Sequence, residues 1–335
     1  MSKFFKNTLA AATVASLMVF GASTSFAEVG IKGGVSAGFG MSGYTPAEGD
    51  GMSGWDGQSQ AQIDVSGGAD SVTAKYRLRV REGDRTLAAT RHAVNWKTTD
   101  ALTLEFWGQS FGLAASFPGY GAYTVGYFGD GHPIGDSLPS DVAFFVNMRG
   151  LNVDFNLGTM AVGVSLLNDC RPTCSTESDE DGKTIAASEQ STMVPHFRGK
   201  FGAINLGVFM AMASGKNSAG EGTTGSETNI NLAFATDGMK VGFEYAMKDY
   251  NGDATGTGMA LGVHVAGVEA HYVSSSREAS GFDLGGFTEI AAAYRMKLTE
   301  QASMAPAYAS YSETGADGAT GDSKTWMGLQ IGTSF

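Results

Sequence analysis

Beyond residue 27 the chain is organised by a period of two. Ala61, Ile63 and Val65 alternate with Gln60, Gln62 and Asp64, and Val72, Ala74, Tyr76, Leu78 and Val80 alternate with Thr73, Lys75, Arg77, Arg79 and Arg81. Leu102, Leu104 and Phe106 alternate with Thr103, Glu105 and Trp107. The pattern returns at Leu151/Val153/Phe155/Leu157, Ile204/Leu206/Val208/Met210, Ile230/Leu232/Phe234 and Met239/Val241/Phe243/Tyr245. It continues at Leu261/Val263/Val265, Ile290/Ala292/Tyr294/Met296 and Met327/Leu329/Ile331. One apolar and one polar face per segment suits a sheet standing between two unlike media. A soluble sandwich alternates as well, but it rarely sustains segments of about ten residues along a whole chain, the length a membrane strand needs.

The joins between these segments alternate too. Short ones fall at 67–70, 99–100, 158, 201–202, 236–238, 266–267 and 298–301. Longer Gly-, Ser- and acid-rich ones fall at 42–57, 82–85, 111–140, 168–188, 214–225, 250–257, 274–283 and 313–324. Seven short joins interleaved with eight long ones predict an all-β fold, a 16-stranded antiparallel transmembrane β-barrel. A boundary slip would make the count 14 or 18. Short turns on one side and long loops on the other are the asymmetry of barrels that cross an outer membrane.

Composition sharpens this picture. Gly is 48 of 335 residues, roughly twice ordinary usage, while charged residues fall to 17%, below the usual ~25%. The 42% apolar content excludes a disordered chain, and scarce proline with aperiodic glycine excludes collagen. A net charge of −12 argues against a broad grip on nucleic acid. At the N-terminus, Lys3 and Lys6 flank an apolar run from Leu9 to Ala22, and Ser25-Phe26-Ala27 supplies small residues for cleavage. This is the pattern of a cleaved signal peptide over 1–27, leaving a barrel over 28–335.

One strand carries a cationic ladder. Lys75, Arg77, Arg79 and Arg81 are spaced by two and project from one face, with Tyr76, Leu78 and Val80 on the other. A cation facing lipid near the midplane costs about 2–4 kcal/mol, so the four are expected to face water inside the barrel. Like charges about 7 Å apart repel and need counter-charge or water. Arg91, Asn95 and Lys97 are expected inward on the next strand, with Val94 and Trp96 outward, and Glu105 inward on the strand after it.

Taken whole, residues 28–335 resemble the Gram-negative general (diffusion) porin family. The chain ends in Trp326-Met327-Gly328-Leu329-Gln330-Ile331-Gly332-Thr333-Ser334-Phe335, an alternating strand with a terminal aromatic. It is similar to the signal by which barrel-assembly machinery recognises such proteins, with Phe335 as its key residue. The third long join, 111–140, is the longest and is rich in Gly, aromatics and Asp. In the family, that loop folds into the lumen as a constriction. The resemblance implies the same here, bringing Asp130, Asp136 and Asp141 opposite the ladder. Acid facing base across a narrow water path would set up a transverse field on passing solutes. The family's acidic Pro-Glu-Phe-Gly-Gly type of motif has no exact counterpart; Gly129-Asp130-Gly131-His132-Pro133-Ile134-Gly135-Asp136 only echoes it. The resemblance also implies a homotrimer. The small residues Gly30, Gly33, Gly34, Ala37 and Gly38 of the first strand are the expected packing face.

Signals for other chemistry are thin. Cys170 and Cys174 sit in the fourth long join; in an exported chain a loop disulfide is the plain reading, and nearby acids leave metal binding as an alternative. His264, Glu269 and His271 share inward parity across a short turn, which allows either a cation site or ordinary lumen lining. There is no nucleophile elbow and no cofactor motif, so neither catalysis nor a cofactor is expected. The acidic joins are expected to face lipopolysaccharide. The expected function is a water-filled pore for passive diffusion of small hydrophilic solutes and ions. The alternatives are a solute- or anion-selective pore using the Arg/Lys track, and a closed structural or adhesive barrel.

Overall fold

The protein is described from a computed structural model covering residues 28–47, 50–81, 88–109, 150–167, 188–216, 222–250, 254–279 and 282–334; for some strand residues only the backbone is described. Residues 1–27, where the sequence predicts a signal peptide, the core of the third and fourth long joins, and Phe335 lie outside these residues.

The first eight strands are β1 Glu28–Thr45, β2 Met52–Ala69, β3 Val72–Arg81, β4 Ala88–Lys97, β5 Leu102–Gln109, β6 Gly150–Leu157, β7 Met160–Leu167 and β8 Ser188–Phe201. Next come β9 Ile204–Lys216, β10 Gly222–Ala235, β11 Met239–Tyr250, β12 Ala254–Val265 and β13 Val268–Ala279. β14 Phe282–Tyr294 is continued past Arg295 by Met296–Lys297 in unchanged register against β15 Ala302–Thr314. β16 Thr320–Ser334 then pairs with β1, from Gly34 opposite Ser334 to Thr45 opposite Ser323, and closes the sheet. Each neighbouring pair is antiparallel, so the sheet is a closed 16-stranded barrel.

The seven short joins are present as tight turns, at 70–71, 98–101, 158–159, 202–203, 236–238, 266–267 and 298–301. Left-handed backbone at Gly158, Gly202 and Gly267 closes three of them. Several long joins are shorter than the sequence predicts. Strand structure includes 214–216, 222–225, 254–257 and 274–279, and β14 resumes at Phe282. These strand ends are polar on both faces, and a strand that rises out of the bilayer into water keeps its ladder without an apolar side. For the third join, the predicted end at 140 lies outside the described residues, which resume with β6 at Gly150.

Burial is inverted relative to a soluble protein. The exposed large side chains are apolar and outward, among them Val29, Ile31, Phe39, Met210, Leu261 and Ile331, with Phe39 60% exposed. The buried set includes Glu227, Asn229, Asn231 and Glu244, all at 0%, together with Arg79, His196 and Glu289. Register places these polar residues on the inner face of their strands. An apolar exterior over a polar interior is the arrangement hydrocarbon requires, and closing the sheet leaves no open strand edge to face it.

Inward parity also corrects the first strand. Gly30, Gly34 and Gly38 share the inner row of Ser66, Gln62 and Gln330, so only Gly33 and Ala37 of the expected packing face point outward. Farther along, Gly40 and Gly328 make room for the Trp326 indole, buried inside the barrel. A Cβ on Gly40 would lie 2.8 Å from the Trp326 ring, and one on Gly328 would lie 2.6 Å from it.

Candidate functional site: the inner wall

The ladder on β3 lies along the inner face, opposite β2. Arg77 pairs in register with Asp64, Arg79 with Gln62 and Lys75 with Ser66. Arg77 is five residues above the turn end of its strand, close to the middle of a membrane span of about 9–11 residues. Its Nε donates to Asp64 Oδ1 at 2.6 Å and its Nη2 to Oδ2 at 2.8 Å, a two-point grip that holds the guanidinium flat to the wall. Arg79 donates from Nη2 to Gln62 Oε1 at 2.7 Å, and Gln62 Nε2 donates to Asp64 Oδ2 at 3.0 Å. The counter-charge the ladder needs therefore comes from the preceding strand. Asp64 and Gln62 are partners the residue-type reasoning missed, although their alternation on β2 was visible and a two-residue turn fixes the register.

Other sequence-predicted residues are distributed differently. Lys97 ends β4 at the short-turn rim, is 54% exposed and pairs with Asp100 of the turn at 2.7 Å, away from the mid-height ladder. Lys97 also holds the Asp100 carboxyl below the ordinary carboxylate range. Glu105 is half-buried on the inner face of β5, between Asn95 and Asn152 in register. Arg81 and Arg91 hold register positions opposite Gln60 and Arg77; their side chains are outside the described set, as are Asp130, Asp136, Asp141, Cys170, Cys174 and Phe335.

The wall across β6–β14 carries buried polar clusters. Asp154 Oδ1 lies 2.7 Å from His196 Nε2, while its Oδ2 accepts from Arg198 Nη2 and Asn152 Nδ2, each at 2.8 Å. His196 Nδ1 faces the Val194 carbonyl at 3.1 Å, so both ring nitrogens are engaged in orientation. Lys248 Nζ is 3.7 Å from Glu227 Oε2, and Asn229 Nδ2 donates to Glu244 Oε1 at 2.7 Å. His264, Glu269 and His271 do not converge on a cation. His271 goes to Glu289 at 2.6 Å, and Glu269 is gripped by Arg295 at 2.7 and 3.0 Å, with His264 3.9 Å away. Among the described residues no group of three or more His, Cys, Asp or Glu is placed to hold a metal ion.

One stretch of the inner wall is apolar: Ala93, Trp107, Leu167, Val194, Phe209 and Ala211 form a buried cluster on β4, β5 and β7–β9. Trp107 heads it, three residues before the segment 110–149.

No protein-family model matches the chain, and no curated protein matches its sequence. Solved structures do match in fold. OmpT of Vibrio cholerae, described as outer-membrane expressed, aligns with a TM-score of 0.59 at 13% identity, over 94% of this chain and 99% of that one. A trimer form of the same outer-membrane protein aligns at 0.57 and 15%, over 92% and 99%. A mutant of Rh. blastica porin aligns at 0.57 and 15%, over 92% and 100%. At these identities the likeness is one of fold: the chain has the architecture of outer-membrane porins.

Proposed function

We propose that this chain is an outer-membrane porin, exported by cleavage after residue 27, and that it passes small hydrophilic solutes and ions by passive diffusion. The observation that carries the proposal is the inverted barrel with a held cationic track at mid-height: Arg77 and Arg79 are fixed by Asp64 and Gln62 instead of facing lipid. A wall of fixed charges at the middle of a membrane-spanning barrel has its natural use in contact with aqueous solutes. The constriction in this proposal pairs the ladder, Arg91 and Glu105 with a third loop folded inward, its Asp130, Asp136 and Asp141 opposite. The buried apolar cluster around Trp107 and Phe209 supports that fold-back, since apolar lumen wall needs a cover. The proposed assembly is a homotrimer in contact with lipopolysaccharide and placed by barrel-assembly machinery, with Cys170 and Cys174 joined in a loop disulfide. The trimer form of a fold neighbour supports the oligomer.

A closed structural or adhesive barrel is the second reading. It is favoured by the near-complete burial of inward Val194, Asn231 and Glu244. Single-channel current in planar bilayers under a salt gradient separates the two. Stepwise ohmic current in multiples of three supports the trimeric pore, a saturable current marks a solute-selective one, and no current from folded protein leaves the closed barrel.

A further inference from the structure

At the short-turn rim, where the turns at 236–238 and 298–301 approach the inner wall, lies a cavity of about 660 Å³. Its charges stand in tiers. Asp237 and Glu300, exposed in the two turns, form the lip. Lys240 on β11 and Lys297 on the continuation of β14 form the next tier; register puts them on the inner face, opposite His264 and Ser303. Deepest is Arg295, closed on Glu269 at 2.7 Å. Because Arg295 saturates Glu269, that carboxylate does not neutralise the lysines. None of Asp237, Lys240, Lys297 or Glu300 has an ion-pair partner among the described residues.

Four unpaired charges of two signs, sorted by depth around one water-accessible cavity, are complementary to a solute that carries both signs at its ends. Each acid is three residues from its lysine, so the tiers are at most about 10 Å apart at the ~3.3 Å rise of extended chain. A simple multivalent anion would meet the acidic lip, and a cation would meet the lysines. A peptide of two or three residues, extended at about 3.3–3.6 Å per residue, spans the gap with its carboxylate on Lys240 or Lys297 and its ammonium on Asp237 or Glu300. We infer that this rim cavity binds short peptides with free termini.

The site can be tested on the full chain in detergent, where binding does not require the barrel to conduct, so failure here is distinct from failure of the pore reading. Saturation-transfer NMR with trialanine should give saturable binding. N-acetylation or C-amidation should each weaken it about three- to fivefold, the scale of one or two exposed ion pairs. The Lys240→Gln/Lys297→Gln variant should lose its sensitivity to C-amidation, and Asp237→Asn/Glu300→Gln its sensitivity to N-acetylation. All four residues are at the water-facing rim, so both variants keep the barrel. Lys324→Gln, at the opposite rim, should bind as wild type. Equal binding of capped and free peptides, no binding of trialanine, or an equal loss in Lys324→Gln would each overturn the inference.

Discussion

Asp64 and Arg77 offer the sharpest check on the inner wall as an ion path, because neutralising either one changes the wall by a single charge of known sign. Both are partly exposed, at 18% for Arg77 and 34% for Asp64, so solvent screening limits the pair to about 0–1 kcal/mol of stability. Asp64→Asn and Arg77→Gln should therefore both yield folded barrels. A unit charge about 7 Å from a passing ion is worth about 0.6 kcal/mol in water, reduced to about 0.25 kcal/mol by screening over a Debye length of ~8 Å. That is about a 1.5-fold effect on each ion, opposite in sign for cation and anion, hence about twofold in their permeability ratio. Reversal potentials in a tenfold potassium chloride gradient read this directly. Asp64→Asn should move the ratio about twofold towards anions and Arg77→Gln about twofold towards cations. Shifts of the same sign, or no shift in well-folded channels, would refute the placement of the pair beside the ion path.

Met210, outward and 45% exposed on β9, should cost about 2–4 kcal/mol when replaced by Arg, measured by urea unfolding from vesicles. An exposed site on a soluble protein would lose no more than about 0.5 kcal/mol, so the measurement also tests which face meets lipid. Gly40→Val should press on the facing backbone at Met327 and Gly328 as well as on the Trp326 ring and destabilise by about 1–3 kcal/mol, with a change in Trp fluorescence as the local readout. Asp154→Asn leaves Arg198 and His196 without their shared carboxylate inside the barrel and should cost about 3 kcal/mol in the same unfolding assay. Lys97 lowers the Asp100 carboxyl, so this pair's small contribution is present above the unfolded carboxylate range and disappears as pH falls through the folded value. In a carboxyl NMR titration, Lys97→Gln should raise the Asp100 midpoint.

Strand number and turn positions were legible because both follow local rules: alternation shows wherever one face meets lipid, and a two-residue turn leaves little choice of register. Where the strands leave the bilayer that rule lapses. Residues 274–279, Ser-Ser-Ser-Arg-Glu-Ala, look like a loop by composition and are ladder by structure. The ladder's partners were within reach, since Asp64 and Arg77 are joined through a single hairpin. The contact of Asp154 with His196 spans 42 residues and two intervening hairpin registers, and side-chain identity alone does not encode it. The fate of Lys97 turned on two residues of turn length, which separate a lumen position from the rim.

The pairing of β1 with β16 has a consequence for how the chain is made. Twelve register pairs along that seam join the first and last strands, residues nearly 300 positions apart. Until the last strand arrives, the growing sheet has two unsatisfied edges, each a template for pairing with another chain. A contact of such sequence separation is also the slowest kind to form. Closure of this seam therefore waits until both strands are present, and until then each open edge must be kept from pairing with another chain.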